Sequence, residues 1–284
     1  MLTPAQTDAA RAVALPPVPI GVAPNGARRG RADHAALPLD AVALARDAQA
    51  CAAAGASWFH VHVRDAAAAH SLDPALYRAA FAAIRAAVGD ALLLQMTTEA
   101  AGRYTPPQQI AAVRALRPQA VSIAVRELLA DASVYTQACA LLRELAADGC
   151  AVQFIAYNAS DLTRLRGWLA DADAPLAVEV LLVLGAYAER RDGRAQELPA
   201  LLQQLDPDWG WSVCAFGAGE AACLVAAAAL GGGVRVGFEN NLWLPDGRVA
   251  ADNAELVRHL VGVLAGVGLS PASAEQTRTR FLRG

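Results

Sequence analysis

The chain has 284 residues, of which 55% are apolar and 18% are charged, and its formal net charge is -3 at pH 7. This composition is typical of a globular protein with a large core, and the lack of a basic excess argues against nucleic acid as a partner. All 24 cationic side chains are arginines. Without lysine, the chain cannot be a Schiff-base aldolase, a pyridoxal-phosphate enzyme, a P-loop NTPase or a lysine-bridged two-metal hydrolase of the usual kind.

The cysteines and the apolar runs bear on the cellular compartment. The five cysteines are scattered without CxxC spacing, which is typical of buried thiols in a reducing compartment. No stretch approaches the ~18 apolar residues of a membrane span, and the N-terminus lacks the pattern of a secretory signal. We therefore expect a cytoplasmic protein that does not bind membranes.

Short apolar strand candidates alternate with alanine- and leucine-rich helical stretches along the chain. The predicted strands are 18–23, 58–63, 92–97, 120–125, 152–156, 178–183, 211–215 and 234–237. The predicted helices are 41–54, 74–88, 107–116, 133–148, 160–171, 198–205, 219–230, 252–264 and 272–281. Strict alternation implies a parallel sheet, and eight such units imply closure into a TIM-type (β/α)8 barrel of the α/β class.

The competing architecture is an open, doubly wound sheet. It is disfavoured because no GxGxxG motif follows the first strand and Gly26 has no partner glycines. We find no linker, repeat or low-complexity segment. Residues 1–284 are therefore expected to form a single barrel domain with a short N-terminal extension and C-terminal helices.

The second predicted strand carries the motif SWFHVHVRD, from Ser57 to Asp65. Because side chains alternate along a strand, His60 and His62 share one face. Neutral imidazole is the commonest metal ligand, but two histidines alone are equally compatible with structural residues held by hydrogen bonds. Glu239, after the eighth predicted strand, offers a third ligand, and His, His, Glu is a ligand set of catalytic zinc sites.

Catalytic groups of (β/α)8 barrels gather at the C-terminal ends of the strands, and several strand ends of this chain are polar. Gln95, Thr97 and Glu99 share one face of the third strand, where a packed interior would contain Val or Leu. Further polar residues at strand ends are Asn25, Ser122, Arg126, Gln153, Tyr157 and Arg235. A single such residue usually belongs to a loop, but their convergence on one mouth favours an active site.

These motifs, in this order, resemble the β-keto acid cleavage enzyme family of zinc-dependent barrels. The resemblance rests on VAPNGARRGRADHAALPL, HVHVRD, LLLQMTTEAAGRYTP, WSVCAFGAGEAAC and GGGVRVGFENNLWLPDGRVAADN, and it spans nearly the whole chain. It implies that His60, His62 and Glu239 bind Zn²⁺, that Arg235 is catalytic, and that Thr97 replaces a family serine. It also implies assembly as a homo-oligomer.

The resemblance implies a Claisen-type exchange between two small molecules, a β-keto acid and acetyl-CoA. The enolate of the β-keto acid attacks the acetyl-CoA thioester, CoA moves to the other carbonyl, and a retro-Claisen step releases acetoacetate and a new acyl-CoA. Zinc suits such a step because it stabilises an enolate oxygen. Asp65 is expected to accept a hydrogen bond from a ligand histidine and so to fix its tautomer.

Two positions depart from the family pattern. Asn240 stands where members carry an aspartate that assists proton transfer, and an amide cannot act as a base. Arg28 stands where members carry a glutamate. We hypothesise that Glu99 carries proton transfer instead, paired with Arg103 or Arg235.

The candidate substrate-binding residues are Asn25, Arg28, Ser122 and Arg126. Planar guanidinium groups pair bidentately with carboxylates, so the two arginines favour a substrate with an extra negative group. The alternative is that these arginines bond to nearby backbone carbonyls or to Asp33.

Specificity and assembly are expected to depend on loops. The loop 187–196 is predicted to shape the pocket for the acyl group, and Trp243 is a candidate interface residue of a homo-oligomer. Zinc, rather than another divalent metal, is inferred from the ligand types alone.

Two other functions remain open. A zinc hydrolase of the amidohydrolase type also places His-x-His on an early strand, but it needs further histidines on later strands. His34, His70 and His259 are predicted in loops or a helix. A metal-binding barrel that has lost catalysis is suggested by Asn240 and Arg28.

Overall fold

The computed structural model describes residues 15–186 and 191–283. Its centre is a closed barrel of parallel strands. The strands are β1 (Ile20–Val22), β2 (Trp58–Val61), β3 (Leu93–Thr97), β4 (Ala120–Ala124), β5 (Ala151–Ala156), β6 (Glu179–Leu184), β7 (Gly210–Ala215) and β8 (Gly233–Val236). Each strand pairs with the next, and β1 pairs with β8 to close the barrel. The predicted (β/α)8 architecture and its eight strands are confirmed.

Helices follow the strands and surround the barrel. They are α1 (Ala41–Ala54), α2 (Pro74–Val88), α3 (Pro106–Leu116), α4 (Val125–Leu128), α5 (Tyr135–Ala147), α6 (Ala159–Ala172), α7 (Leu198–Leu202), α8 (Glu220–Ala229), α9 (Asn253–Gly266) and α10 (Ala274–Arg283). The sequence prediction missed α4 and an antiparallel pair formed by Val63–Arg64 and His70–Ser71. Both are too short for a hydrophobic period to reveal them.

Capping side chains fix where several helices begin. Asp40, Asp73, Asn158 and Asp252 precede α1, α2, α6 and α9, and each accepts a hydrogen bond from a backbone N–H of the first turn. Such a cap satisfies a donor that has no partner within the helix and contributes about 1 kcal/mol. These four helices therefore begin within one residue of the predicted positions.

The bottom of the barrel is closed by apolar side chains and by α10. This layer consists of Trp58, Leu93, Ala120, Ala151 and Phe281. The indole of Trp58 fills the interior opposite Gly21 of β1, where a Cβ atom would lie only 2.0 Å from the ring. Thr277 of α10 donates from its hydroxyl to Ser57 Oγ at 2.7 Å, which ties the helix to the start of β2.

Above this layer the barrel interior is polar. Buried polar residues on the strands are His60, Gln95, Thr97, Ser122, Gln153, Glu179, Ser212 and Arg235. Of these, Glu179 lies low in the barrel, with Oε2 3.7 Å from Arg280 Nε of α10. Branched apolar side chains usually fill such an interior, and burying polar groups costs free energy unless they are hydrogen-bonded. Such a polar interior indicates a functional site, which in this fold lies at the C-terminal mouth of the barrel.

Other expectations from the sequence have mixed outcomes. The five cysteines are buried and not in disulfides, as predicted. In the two described ranges, every helix is too short or too polar to cross a lipid bilayer.

The predicted N-terminal extension falls largely in residues 1–14, and part of the loop 187–196 falls in 187–190; both lie outside the described residues. The single-domain organisation of residues 1–284 stays a prediction.

Candidate active site

Three candidate metal ligands meet at the C-terminal mouth of the barrel. His60 Nε2 lies 3.0 Å from His62 Nε2. Glu239 Oε2 lies 3.2 Å from the same atom of His62 and 3.7 Å from Nε2 of His60. A four-coordinate ion with bonds of about 2.1 Å separates neighbouring ligand atoms by about 3.4 Å. The spacing and chemistry of these donors therefore fit a single divalent metal ion.

The protonation of two of these groups also suits a metal. Burial lowers the pKa of His60 to about 3, so its imidazole is neutral. Burial acts to raise the pKa of Glu239, but the charge of Arg235 and the hydrogen bond with His62 outweigh it and hold the pKa well below its usual value. Arg235 Nη2 donates to Glu239 Oε1 at 2.9 Å, while Oε2 faces the histidines. Neutral imidazole and carboxylate are the forms that ligate metals.

The loop after β1 packs tightly against Glu239. Gly26 adopts a left-handed conformation with φ +60°, and a Cβ atom there would lie 2.6 Å from Glu239 Cγ. Arg64, at the end of the HVHVRD motif, donates to three backbone carbonyl groups of residues 26–29. The motif thus supplies two candidate ligands and also the side chain that holds the adjacent loop.

Asp65 does not have the role predicted for it. Its carboxylate accepts hydrogen bonds from the backbone of Ala67 and Ala69 and lies 3.3 Å from Arg103 Nη2. The chain turns directly after the strand, so this side chain points away from the histidines. The partner of His60 is instead Gln95, whose Oε1 lies 2.8 Å from His60 Nδ1.

Asn25 lies behind the three candidate ligands and is fully buried. Its Nδ2 donates to the carbonyl oxygen atoms of Pro38 at 2.7 Å and His62 at 3.0 Å. Asn25 is not among the residues that line the cavity described below. The direct substrate contact predicted for Asn25 is therefore corrected to support of the His62 backbone.

Asn253 is a support that the sequence analysis missed. Its Oδ1 accepts from the backbone N–H of Phe238, which precedes Glu239, at 2.8 Å. Its Nδ2 donates to the carbonyl oxygen of Pro24 and to Asp47 of α1. Asn253 thereby joins the loops after β1 and β8. It stands fourteen residues beyond Glu239 at the start of a helix, where no periodic signal marks it.

A cavity of about 440 Å³ opens beside the candidate ligands. One side is polar and includes Arg28, Thr97, Glu99, Ser122, Arg235 and Asn240. A largely apolar part of the lining includes Ile155, Tyr157, Val183 and Phe216, which pack in one cluster. Of the predicted site residues, all but Asn25 and His62 line this cavity. Polar residues at the strand ends therefore predicted most of its lining correctly.

Glu99 lies on the polar side with two basic neighbours. Its carboxylate is 3.8 Å from Arg28 Nε and 4.0 Å from His62 Nδ1, and burial raises its pKa. Its backbone is fixed, because its N–H donates to Thr97 Oγ1 and its carbonyl oxygen lies 2.8 Å from His70 Nε2. Glu99 is thus a carboxylate held in place at the cavity wall.

The predicted pairing of Glu99 with Arg103 or Arg235 is wrong. Ala101 and Gly102 adopt left-handed conformations and turn the chain, so that Arg103 reaches Asp65 and the carbonyl oxygen of His70 instead. Arg235 bonds to Glu239 and Asn240. The arginine beside Glu99 is Arg28.

His70 was predicted in a loop but forms part of the antiparallel pair after β2. Its buried ring packs against that of His62, with 5.2 Å between ring centroids. Burial lowers the pKa of His70 to about 3. In the described ranges, the groups placed to share a metal are His60, His62 and Glu239, without His70. His70 supports the site through packing and through its bond to the Glu99 backbone.

Arg126 is paired within the protein. Its Nε and Nη2 donate to Asp161 Oδ2 at 3.1 and 2.7 Å, and its guanidinium lies 3.9 Å from the centre of the Tyr157 ring. The alternative named backbone carbonyl groups or Asp33 as the partner, whereas the partner of Arg126 is Asp161. Asp33 instead accepts from the backbone of Gly30.

Two residues of the cavity lining carry a buried hydrogen-bonding group that has no partner in the described part of the chain. These groups are Ser122 Oγ and Asn240 Nδ2. Asn240 Oδ1 accepts from Arg235 Nη2 at 3.0 Å, which fixes the orientation of this amide. A buried polar group without a partner costs about 1–3 kcal/mol. Such groups are suited to receive a ligand.

The barrel, the three candidate ligands and the adjoining cavity define a (β/α)8 enzyme with a candidate metal centre at its C-terminal mouth. The chain belongs to the beta-keto acid cleavage enzyme family, whose model matches residues 17–282. The resemblance seen in the sequence motifs is therefore confirmed.

Individual relatives are distant but similar over most of their length. The chain is 24% identical to the 3,5-dioxohexanoate:acetyl-CoA acetone transferase of Paraburkholderia graminis, over 91% of this chain and 93% of that protein. It is 25% identical to the 3-oxoadipate:acetyl-CoA acetyltransferase of Cupriavidus necator, over 92% and 93%. Among solved structures, the ternary complex of ObcA with a C4-CoA adduct and oxalate superposes with a TM-score of 0.67 at 17% identity, over 86% of this chain and 67% of that one. At this identity the superposition shows the fold alone.

Proposed function

We propose that this protein is a metal-dependent β-keto acid cleavage enzyme that uses acetyl-CoA as its co-substrate. The products are acetoacetate and the CoA thioester of the remaining acyl group. The observation that carries the proposal is the cluster of His60, His62 and Glu239 beside the cavity in a chain of this family. The names of the Paraburkholderia and Cupriavidus relatives support acetyl-CoA as the co-substrate.

His60, His62 and Glu239 would hold the metal, for which we propose zinc because two imidazoles and a carboxylate suit it. When bound, zinc supplies a positive centre that stabilises an enolate oxygen. Arg235 contributes to the same site by binding the second oxygen of Glu239, which keeps that carboxylate in one orientation.

The protein's own residues would move the proton. Glu99 takes a proton from the carbon between the carboxylate and keto groups of the substrate, and Thr97 holds the Glu99 backbone in position. The carbanion attacks the thioester carbonyl of acetyl-CoA, and the CoA thiolate leaves. The thiolate then adds to the other keto carbon, the carbon–carbon bond breaks, and the acetoacetate enolate recovers the proton from Glu99.

Hydrogen-bond donors in the cavity would stabilise the oxygen atoms that become negative. We assign this role to the Ser122 hydroxyl and the Asn240 amide, since both residues line the cavity and these groups have no partner in the described part of the chain. Fixed donors directed at a developing oxyanion are effective because they need no reorganisation during the reaction. Asn240 thus acts as a donor at the position where the family pattern has an acid.

We further propose that Arg28 binds an extra carboxylate on the substrate. It lines the cavity, and its side chain is 55% exposed. Arg126 contributes less than the sequence predicted, because Asp161 already neutralises its charge. The name of the 3-oxoadipate relative supports a substrate with two carboxylates. Faster turnover of neutral than of dicarboxylic β-keto acids would contradict this assignment.

The function is tested by incubating zinc-loaded protein with acetyl-CoA and a panel of neutral, dicarboxylic and aminated β-keto acids. We expect acetoacetate to form only when both substrates are present, and to be abolished by His60→Ala. His34→Ala is the matched control, since His34 bonds to the backbone of Ala250 outside the cavity. Zinc binding without product from any acid would contradict the proposed activity.

The two alternative functions have less support. A hydrolase of the amidohydrolase type would need further histidine ligands, whereas the Nε2 of nearby His70 lies 2.8 Å from the Glu99 carbonyl oxygen. A non-catalytic barrel would not need the lining residues Ser122 and Asn240 to carry buried polar groups without described partners.

Cellular location and assembly stay predictions. We expect a cytoplasmic protein with no nucleic-acid or membrane partner. A homo-oligomer is proposed on the family resemblance, and the 40% exposed Trp243 is a candidate for its interface.

A further inference from the structure

Two buried glutamines form a short hydrogen-bonded chain that begins at His60. Gln95 of β3 and Gln153 of β5 are both completely buried, and neither lines the cavity. Their side chains contact each other, since Gln95 Nε2 donates to Gln153 Oε1 at 3.3 Å. Burying two amides in a barrel core costs free energy unless they are hydrogen-bonded. Because neither amide reaches the cavity, their role must be exerted through another residue.

The first glutamine determines which nitrogen of His60 carries the proton. Gln95 Oε1 lies 2.8 Å from His60 Nδ1. An amide oxygen can only accept a hydrogen bond, so the proton must be on Nδ1. The lone pair of the neutral ring is then on Nε2, the atom that faces His62 and Glu239.

The second glutamine favours one orientation of the first. If the amide of Gln95 were reversed, its NH₂ group would face His60 Nδ1, and the ring would have to carry its proton on Nε2. That tautomer cannot bind a metal through Nε2. In the observed orientation Gln153 Oε1 accepts the hydrogen bond of Gln95 Nε2, and reversal of Gln95 alone would place two amide oxygen atoms against each other.

We propose that Gln95 and Gln153 are positioning residues that hold His60 in the Nδ1-protonated tautomer and thereby raise the affinity of the site for its metal. The proposal rests on the metal site assigned above. It goes beyond that assignment because it concerns two side chains that touch neither the metal ligand atoms nor the substrate cavity. Partners of this kind typically change metal affinity by about 10–100-fold.

The first test is a zinc titration of chelator-treated, full-length protein in the presence of a competing chelator. We expect Gln95→Leu to weaken zinc binding about 10–100-fold and Gln153→Leu to weaken it less. Unchanged zinc affinity in Gln95→Leu would overturn the inference.

Leu94→Ala is the matched control for damage to the core. Leu94 precedes Gln95 on β3 and is buried in the main apolar core. We expect this variant to unfold at a lower temperature than the wild type but to bind zinc with the same affinity. Equal losses of zinc affinity in Leu94→Ala and Gln95→Leu would mean that general destabilisation is the cause, and would overturn the proposed role.

The tautomer is measured directly by long-range ¹H–¹⁵N correlation spectra of metal-free protein labelled in histidine. We expect the wild type to show His60 protonated on Nδ1, and Gln95→Leu to shift it towards the Nε2 tautomer. Protonation of His60 on Nε2 in the wild type would overturn the inference even if zinc binds. A wild-type protein that binds no zinc would instead overturn the metal site, while the spectra would still decide the tautomer.

Discussion

Glu99 is the residue on which the proposed chemistry depends most, because the side chain at position 240 is an amide. Its carboxylate lines the cavity, and its backbone is fixed from two sides by Thr97 and His70. Arg28 lies close enough to stabilise its negative form. A fixed carboxylate beside the reacting carbon is suited to general acid–base catalysis.

Replacement of Glu99 by glutamine tests this role. The amide keeps the shape of the side chain but cannot take a proton, so we expect kcat to fall by about 100-fold or more, with little change in zinc affinity. Steady-state kinetics and a zinc titration measure the two effects. The matched control is Glu127→Gln, another carboxylate of the same cavity, which should retain turnover within a few-fold. Near-normal kcat in Glu99→Gln would refute the assignment.

Asp47, which lies outside the cavity, makes the stability of the protein depend on pH. Burial raises its pKa to about 7, and its neighbours are Asn253, which donates to it, and the acidic Asp252. The folded protein therefore binds a proton that the unfolded chain releases near pH 4. Stability contributed by this protonation is present at low pH and is lost as the pH rises through about 7.

Asp47→Asn should remove this dependence, because the amide can still accept from Asn253 but does not ionise. We expect the variant to gain free energy of unfolding relative to the wild type at pH 8, and to gain much less at pH 5. Urea unfolding at the two pH values measures the difference. An equal difference at both values would show that Asp47 ionises as freely in the folded protein as in the unfolded chain.

At the scale of single residues, the sequence was informative about residue types at strand ends and less so about their partners. His60, Thr97, Ser122 and Glu239 were found because the barrel brings strand ends together. Asp65 was wrongly expected beside a ligand histidine, because a tight turn redirects it. Such partners depend on the register between strands and on turn geometry, which one sequence does not specify.

Among the elements, the loop after β1 has the closest contact with the candidate metal site. Arg64 holds residues 26–29 by their carbonyl groups, and the absence of a side chain at Gly26 lets the loop approach Glu239. The loop and the HVHVRD motif thus form one unit, although more than thirty residues separate them in the sequence.

Gly26→Ala tests the importance of this approach. The left-handed backbone would cost about 1–2 kcal/mol with alanine, and the new Cβ atom would overlap Glu239 Cγ. We therefore expect lower stability together with weaker zinc binding, measured by thermal unfolding and by titration. Gly30→Ala in the same loop is the control, since nothing lies within 4 Å of a Cβ atom there. Equal behaviour of the two variants would contradict this interpretation.

The elements themselves were largely predictable. The alanine- and leucine-rich stretches located four helix starts within one residue, and each of these helices is preceded by a capping side chain: Asp40, Asp73, Asn158 or Asp252. The short α4 and the antiparallel pair after β2 were missed, because two to four residues contain no measurable period.

At the scale of the whole molecule, α10 closes the lower end of the barrel, a role that no sequence motif predicted. The number of β/α units predicted a closed barrel, but not which segment would cover its lower end. Phe281 packs against Trp58 with 5.5 Å between ring centroids, and Arg280 donates to the carbonyl oxygen of Trp211. Through these contacts α10 covers the lower end of the barrel.

Phe281→Ala should destabilise the protein by about 3–5 kcal/mol, because it opens a cavity in the buried layer below the polar interior. The adjacent Leu282, which is 44% exposed, provides the control, and Leu282→Ala should change the free energy of unfolding only slightly. Urea unfolding measures both. A small effect of Phe281→Ala would mean that α10 is not needed to close the barrel.

The central claim is that the cavity exchanges acyl groups between a β-keto acid and acetyl-CoA. It is tested most directly by following ¹³C from the acetyl group of acetyl-CoA in a reaction with zinc-loaded protein and an unlabelled β-keto acid. We expect the label to appear in acetoacetate, in equal amount to a new unlabelled acyl-CoA. Label found only in acetyl-CoA or in acetate, while the β-keto acid is consumed, would contradict the exchange and point to hydrolysis instead.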